Sequence, residues 1–208
     1  MHMQEKELSD YRKSLRERIL ETALHHFCQI GIRAVKMDDI AQELAISKRT
    51  LYEIYENKEV LLFEAVKCYN DIKLQELQLL LEQCNDVMDL ILSSYRKKVE
   101  EAKTIAPQFY SDLEKYPQVF RFLNDAHEQT KQSFTGFLRR GVDEGYFRSD
   151  IDYDLVALCF DHMLRFIVEE QLYLTYTIEE LFHNVIFVTL RGFCTPLGVK
   201  KLDNNLSA

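Results

Sequence analysis

Residues 38–62 read DDIAQELAISKRTLYEIYENKEVLL, and their spacing decides the fold. Ile40, Ala41 and Leu44 make one apolar side of a short helix over 37–44, with Asp38 and Asp39 in its first turn, where the macrodipole favours negative charge. Ala45 and Ile46 lead to Ser47, a preferred N-cap, and a second short helix follows with Leu51, Ile54 and Tyr55. Asn57 caps a further helix that begins at Lys58. Two short helices joined by a tight turn form a helix-turn-helix, whose second helix enters the DNA major groove by its N-terminal end. Lys48 and Arg49 sit at that end. Cations there are disfavoured by the helix dipole, so their use lies with an anion outside the chain.

Outward from this stretch the pattern stays helical. Leu15, Ile19, Ala23, Phe27 and Ile30 recur on one face of a preceding helix, which Gly31 stops. Beyond Lys58 an apolar pattern without a breaker reaches Cys84, and further helices are expected near 86–101, 105–115, 118–144, 153–174 and 178–193. Six Gly and three Pro in 208 residues leave few tight turns and argue against a many-stranded sheet. The expected fold is all-α, with about nine helices. A three-helix DNA-binding domain over 1–58 precedes a helical effector-binding and dimerisation domain over 59–208.

The formal net charge of −8 is unevenly shared. Residues 1–58 carry ten Lys and Arg against ten Asp and Glu, so the whole excess of acid lies in 59–208. Any nucleic-acid contact must therefore be local and N-terminal. Hydrophobic residues make up 47% of the chain, enough for a core without disulfides or metal. The five cysteines show no C-x-x-C spacing and are expected to be mostly buried apolar residues. No run approaches a membrane span and the N-terminus lacks the apolar stretch of a signal peptide, so a cytoplasmic protein is expected.

The stretch from Gly31 to Leu61 strongly resembles the DNA-binding domain of the TetR family of transcriptional regulators. Its marks are Gly31, Ile40-Ala41, Ser47-Lys48-Arg49-Thr50-Leu51-Tyr52, Ile54-Tyr55 and Lys58-Glu59. The segments LRRGVDEGYFRSDIDYDLVA and LRGFCTPLG extend the likeness more weakly along the chain. Two positions depart from the family pattern. Val35 and Lys36 stand where a hydroxyl residue usually caps the first helix of the motif, and Arg49 replaces a common Gly. An arginine there brings a planar donor to the groove and changes which bases are read.

The resemblance implies a repressor that binds a two-fold operator as a homodimer and is released by a small-molecule effector, with no cofactor and no metal. An activator, or a regulator answering to a protein partner, is an alternative with the same fold. It places Ser47, Lys48, Arg49, Thr50 and Tyr52 at the groove and Lys36, Tyr55 and Lys58 at flanking phosphates. Aromatic residues in mid-chain, Tyr95, Phe109, Tyr110, Phe134 and Phe137, together with His162 and Phe166, are candidates for an effector pocket. The last two expected helices have apolar arcs wider than one face. Leu158, Arg165, Leu181, Phe182, Val185, Val188 and Thr189 are candidates for a dimer interface.

An enzyme is the rival of another class. The chain has no G-x-S-x-G elbow, no phosphate-cradling Gly loop and no H-E-x-x-H. A single Glu180-x-x-His183 occurs, a spacing that di-iron bundles use twice. His25 and His26 face different sides of one helix and cannot chelate together.

Overall fold

The computed structural model describes the backbone of residues 2–206 and the side chains of 10–130 and 133–204. The helices run α1 His2–Ile30, α2 Met37–Glu43, α3 Lys48–Ile54, α4 Lys58–Gln83, α5 Val87–Ala102, α6 Pro107–Leu113, α7 Pro117–Asp143, α8 Tyr153–Glu169, α9 Ile178–Leu181, α10 Phe187–Phe193 and α11 Pro196–Leu206. A five-residue π turn, Phe182–Ile186, joins α9 to α10. Among the described residues no helix is long and apolar enough to cross a membrane.

The chain packs as two compact units, one of residues 1–75 and 104–123, the other of 76–103 and 124–208. The helices α4 and α7 each contribute to both. In the first unit, Leu15, Ile19, Ala23 and Phe27 form the buried stripe of α1. Ile40, Ala41, Leu51, Tyr55, Leu61 and Leu62 close over it from α2, α3 and α4. Gly31 ends α1 with φ of 84°, a left-handed value that suits glycine, and its N–H donates to the Phe27 carbonyl at 3.1 Å. It also lies against α6: a Cβ there would come within 2.9 Å of Gln108 Cβ. The Ala106 N–H donates to the Cys28 carbonyl at 2.7 Å, tying the start of α6 to the end of α1.

The turn between α2 and α3 is a Schellman motif. The Ile46 N–H donates to the Ala41 carbonyl at 3.0 Å and the Ala45 N–H to that of Gln42 at 3.1 Å. Its left-handed residue is Ala45, with φ of 53°.

The second unit is built on Val87, Met88, Leu92, Leu138, Phe147, Phe160, Phe187, Leu190, Phe193 and Leu202. Here Tyr146-Phe147 pairs with Cys194-Thr195 in a short antiparallel bridge, the Arg148 N–H donating to Phe193 and the Thr195 N–H to Tyr146, both at 2.9 Å. The Lys201 ammonium of α11 binds the carboxylates of Asp86 and Asp89, and the Tyr146 hydroxyl donates to Asp86 at 3.0 Å. Burial pushes the Asp86 carboxyl up, but Lys201, the Asp89 N–H and Tyr146 together hold it below its ordinary value.

Three sequence expectations need correction. The helix expected over 153–174 stops at Glu169, because Gln171 turns left-handed and Leu172–Leu174 form a 3-10 turn. The expected helices end at 193, but Pro196–Leu206 form a further helix, α11, with Pro196 in its first turn. Of the cysteines only Cys194 is buried, whereas Cys68 and Cys159 are exposed.

Candidate nucleic-acid interface

The recognition helix α3 is held by its buried side and capped by its own sequence. Leu51 is fully buried, and the Ser47 hydroxyl accepts from the Thr50 N–H at 3.0 Å. Thr50 Oγ1 lies 2.8 Å from Ser47 Oγ, so its hydroxyl is engaged in the cap. Four side chains form the exposed strip of the helix: Lys48, Arg49, Tyr52 and Glu53. Their i, i+1, i+4, i+5 spacing is what one helical face requires.

Both cations of the strip have a carboxylate partner. The Lys48 ammonium is bonded to Asp38 of α2, and the Arg49 Nε donates to Glu53 Oε1 at 2.7 Å. These hydrogen bonds and the attraction behind them hold both basic groups above their ordinary values. Neither Asp38 nor Glu53 is among the site residues expected from the sequence. The i, i+4 relation of Arg49 and Glu53 was the available signal.

Lys36 is exposed and occupies the N-cap position of α2. Its backbone N–H donates to Asp39 Oδ2 at 3.2 Å, so an acid at the third helical position supplies half of a capping box. A protonated ammonium has no lone pair with which to complete the other half.

Two expected phosphate contacts are corrected. Tyr55 is 1% exposed, with its ring in the core of the first unit and the Arg16 guanidinium 5.6 Å from its centroid. Burial pushes its phenol up. Lys58 turns inward: its ammonium donates to the carbonyls of Ile32 and Val35 at 3.0 Å and of Arg33 at 3.4 Å. It ties the α1–α2 connection to the start of α4, and its three donors are used there.

The candidate effector residues are divided between the two units. Phe109 is buried in the core of the first unit, and Tyr110, on the same helix α6, is exposed. Tyr95, Phe134 and Phe137 belong to the second unit, where Tyr95 packs on Phe182 and Phe187 with centroids 5.0 Å apart and Phe134 stacks on Phe137. His162 and Phe166 are exposed on α8. On the buried side of α8, Asp161 lies 2.6 Å from Nε2 of a different histidine, His127. A polar cavity of about 270 Å³ lies elsewhere, lined by Gln83, Cys84, Asp89, Leu92, Ser93 and Arg96.

The candidate interface residues divide in the same way. Leu158, Val188 and Thr189 are exposed and Val185 is half-buried. Leu181 is buried within the unit, and Phe182 packs on Tyr95 and Phe187. Arg165 is committed inside the chain, to Glu128 at 2.7 Å and Asp161 at 3.3 Å. Glu180 accepts from the Thr177 N–H at 2.8 Å in a capping box, which gives the Glu180-x-x-His183 spacing a structural reason.

Comparison with known proteins agrees with this geometry. Residues 19–65 match the bacterial regulatory proteins of the tetR family. The HTH-type transcriptional repressor KstR2 of Mycobacterium tuberculosis is 27% identical over 149 residues, which span 69% of this chain and 74% of that protein. A putative transcriptional regulator from Saccharomonospora viridis, solved in complex with choline, shares the fold with a TM-score of 0.70 at 20% identity, over 88% of this chain and 99% of its own. A TetR-family regulator from Marinobacter aquaeolei VT8 does so with a TM-score of 0.70 at 19% identity, over 92% and 97%. With its exposed strip carrying the two cations, the helix-turn-helix within residues 19–65 belongs to the tetR family of bacterial regulatory proteins.

Proposed function

We propose that the protein is a repressor that binds a two-fold DNA site as a homodimer and is released by a small molecule with an apolar body. The observation that carries the DNA part is the exposed strip of α3, in which Lys48, Arg49 and Tyr52 project away from buried Leu51. Arg49 reads bases, Lys48 and Lys36 meet phosphates, and the Tyr52 hydroxyl is a further phosphate donor. Ser47 and Thr50 act through the cap that orients the helix. Residues 1–58 carry this role and 59–208 the sensing and pairing roles. Repression as the direction of control is supported by the likeness to KstR2.

Pairing is supported by apolar side chains left exposed on two neighbouring helices. Leu155, Leu158 and Phe166 of α8 are 58%, 49% and 55% exposed, and Val188 of α10 is 57% exposed. The two helices meet through Thr189 and Met163, 3.8 Å apart, and through the Phe160 and Phe193 rings. A second copy laying the same face on this one buries them in a helical bundle. Two α3 helices then sit roughly 34 to 36 Å apart to enter successive major grooves.

Release by an effector is supported by the aromatic set of the second unit, Tyr95, Phe134, Phe137 and Phe182, of the kind that lines apolar sites. A ligand that prefers a conformer with a different α3 spacing shifts the population off DNA, with a coupling of about 1–3 kcal/mol. Shared by both units, α4 is one covalent path for that coupling.

Selection of bound duplexes from random DNA tests the reading, with light scattering on the same preparation. Enrichment of a two-fold site by a dimer is the expected result. A monomer, or a dimer that enriches no sequence, contradicts it. Thermal-shift screening against apolar metabolites then tests release: a ligand that stabilises the dimer must also lower its affinity for the selected site.

A further inference from the structure

The outward strip of α3 carries an acid as well as cations, and that acid sits one turn from the arginine. Arg49 and Glu53 are 88% and 60% exposed in their side chains, with Nε to Oε1 at 2.7 Å. We propose that Glu53 is a positioning residue for base reading: it holds the Arg49 Nε so that the guanidinium's outer Nη edge faces the groove and takes a guanine at one base pair of each half-site. This rests on the DNA-reading role assigned above to the face of α3.

The chemistry of the fork carries the inference. A guanidinium has five N–H donors in one plane, and Glu53 engages the one on Nε. The Nη groups have no other partner among the described residues. Two parallel donors at the outer edge are what guanine O6 and N7 accept. An unpartnered arginine at this exposure would sample many rotamers, whereas one tethered at i+4 presents its edge in one direction.

Local charge points the same way. Across residues 36–58 the five acids Asp38, Asp39, Glu43, Glu53 and Glu56 outnumber the four bases Lys36, Lys48, Arg49 and Lys58. Such a surface is poorly made for general attraction to phosphates, and a carboxylate facing DNA is repulsive unless it serves a specific geometry. Lys48 behaves differently, because its ammonium is a point charge that exchanges Asp38 for a phosphate without any preferred plane. With the Thr50 hydroxyl engaged by Ser47, discrimination falls to the Arg49–Glu53 fork.

The test compares full-length wild type, Arg49→Ala, Glu53→Ala and Glu53→Gln in site selection from random DNA and in anisotropy titrations on selected and scrambled duplexes. Wild type is expected to enrich a G·C pair at matching positions of the two half-sites, and Arg49→Ala to lose that preference. Glu53→Ala should lose discrimination at the same pair by about tenfold, within the range of a bidentate contact, while binding scrambled DNA more tightly. Glu53→Gln keeps an acceptor for Nε and should restore the base preference. Both positions are on the solvent face of α3, and unchanged thermal melting confirms that the three variants fold. A Glu53→Ala protein with wild-type preference at every base pair overturns the inference, even where Arg49→Ala loses its preference and so leaves α3 as the reader. A wild type that enriches no site overturns the underlying DNA reading instead.

Discussion

The backbone N–H of Arg33 donates to Asp112 Oδ2 at 2.9 Å, joining the segment after α1 to α6 across 79 residues of sequence. The Asp112 side chain is 8% exposed, and its other oxygen accepts from Lys115 at 3.2 Å. Replacing it with alanine leaves the Arg33 N–H without its acceptor and is expected to cost about 1–3 kcal/mol. Asp112→Asn retains an acceptor oxygen and costs less. Urea unfolding followed by circular dichroism ranks the two, and equal midpoints for wild type and Asp112→Ala would sink the assignment.

Lys58 makes the opposite kind of case, a charge drawn away from DNA. Its ammonium satisfies three carbonyls of the α1–α2 connection, so Lys58→Met removes charge-assisted bonds and is expected to destabilise by about 1.5–3 kcal/mol. The dependence of DNA affinity on salt should stay as in wild type. Lys36→Ala, by contrast, should lower that slope by about one per protomer with little change in stability. A reduced slope for Lys58→Met without loss of stability would return Lys58 to the phosphate backbone.

Ala45 sits left-handed at the turn between α2 and α3, with φ of 53°. A Cβ in that conformation costs about 1–2 kcal/mol, against about 0.5–1 kcal/mol of extra chain entropy lost by a glycine. Ala45→Gly is therefore expected to raise stability by roughly 0.5–1 kcal/mol, because the Schellman hydrogen bonds are kept and the strain is removed. A lower melting temperature for Ala45→Gly would mean that the turn gains more from the methyl group than from relief of φ.

The helix-turn-helix was legible because its signals are local. The Ser47 cap, the apolar spacing of Ile40 to Tyr55 and the stop at Gly31 each act within one turn of chain. Side-chain direction is set by tertiary packing, and there the sequence misled. Tyr55 and Lys58 have the right chemistry for phosphate, yet the first fills the core and the second reaches three carbonyls. Phe109 shares its composition with Phe134 and Phe137, but α6 docks on Gly31 and carries Phe109 into the other unit. Ala45 gave no warning of a left-handed turn, since alanine is a poor marker for one. Glu53 is not legible in the same way, because an acid on a DNA-facing helix reads as a solubilising charge until its partner is seen.

The cysteines report on the proposed pairing face. Burial pushes the thiols of Cys28 and Cys194 up to about 11. At pH 8 a thiol of that pKa is roughly one part in a thousand thiolate, the reactive form, and the fraction grows about tenfold per pH unit up to the pKa. Cys68 and Cys159 are exposed and should be modified first by a thiol reagent at pH 8, with Cys28 and Cys194 following only as the pH is raised. Cys159 lies on the α8 strip with Leu155, Leu158, His162 and Phe166, so pairing through that strip should slow its labelling and leave Cys68 unaffected. A Leu158→Glu protein places a charge in the bundle, should sediment as a monomer, and should restore fast labelling of Cys159. If Cys159 labels as fast as Cys68 in a wild-type protein that sediments as a dimer, the two copies meet through another face.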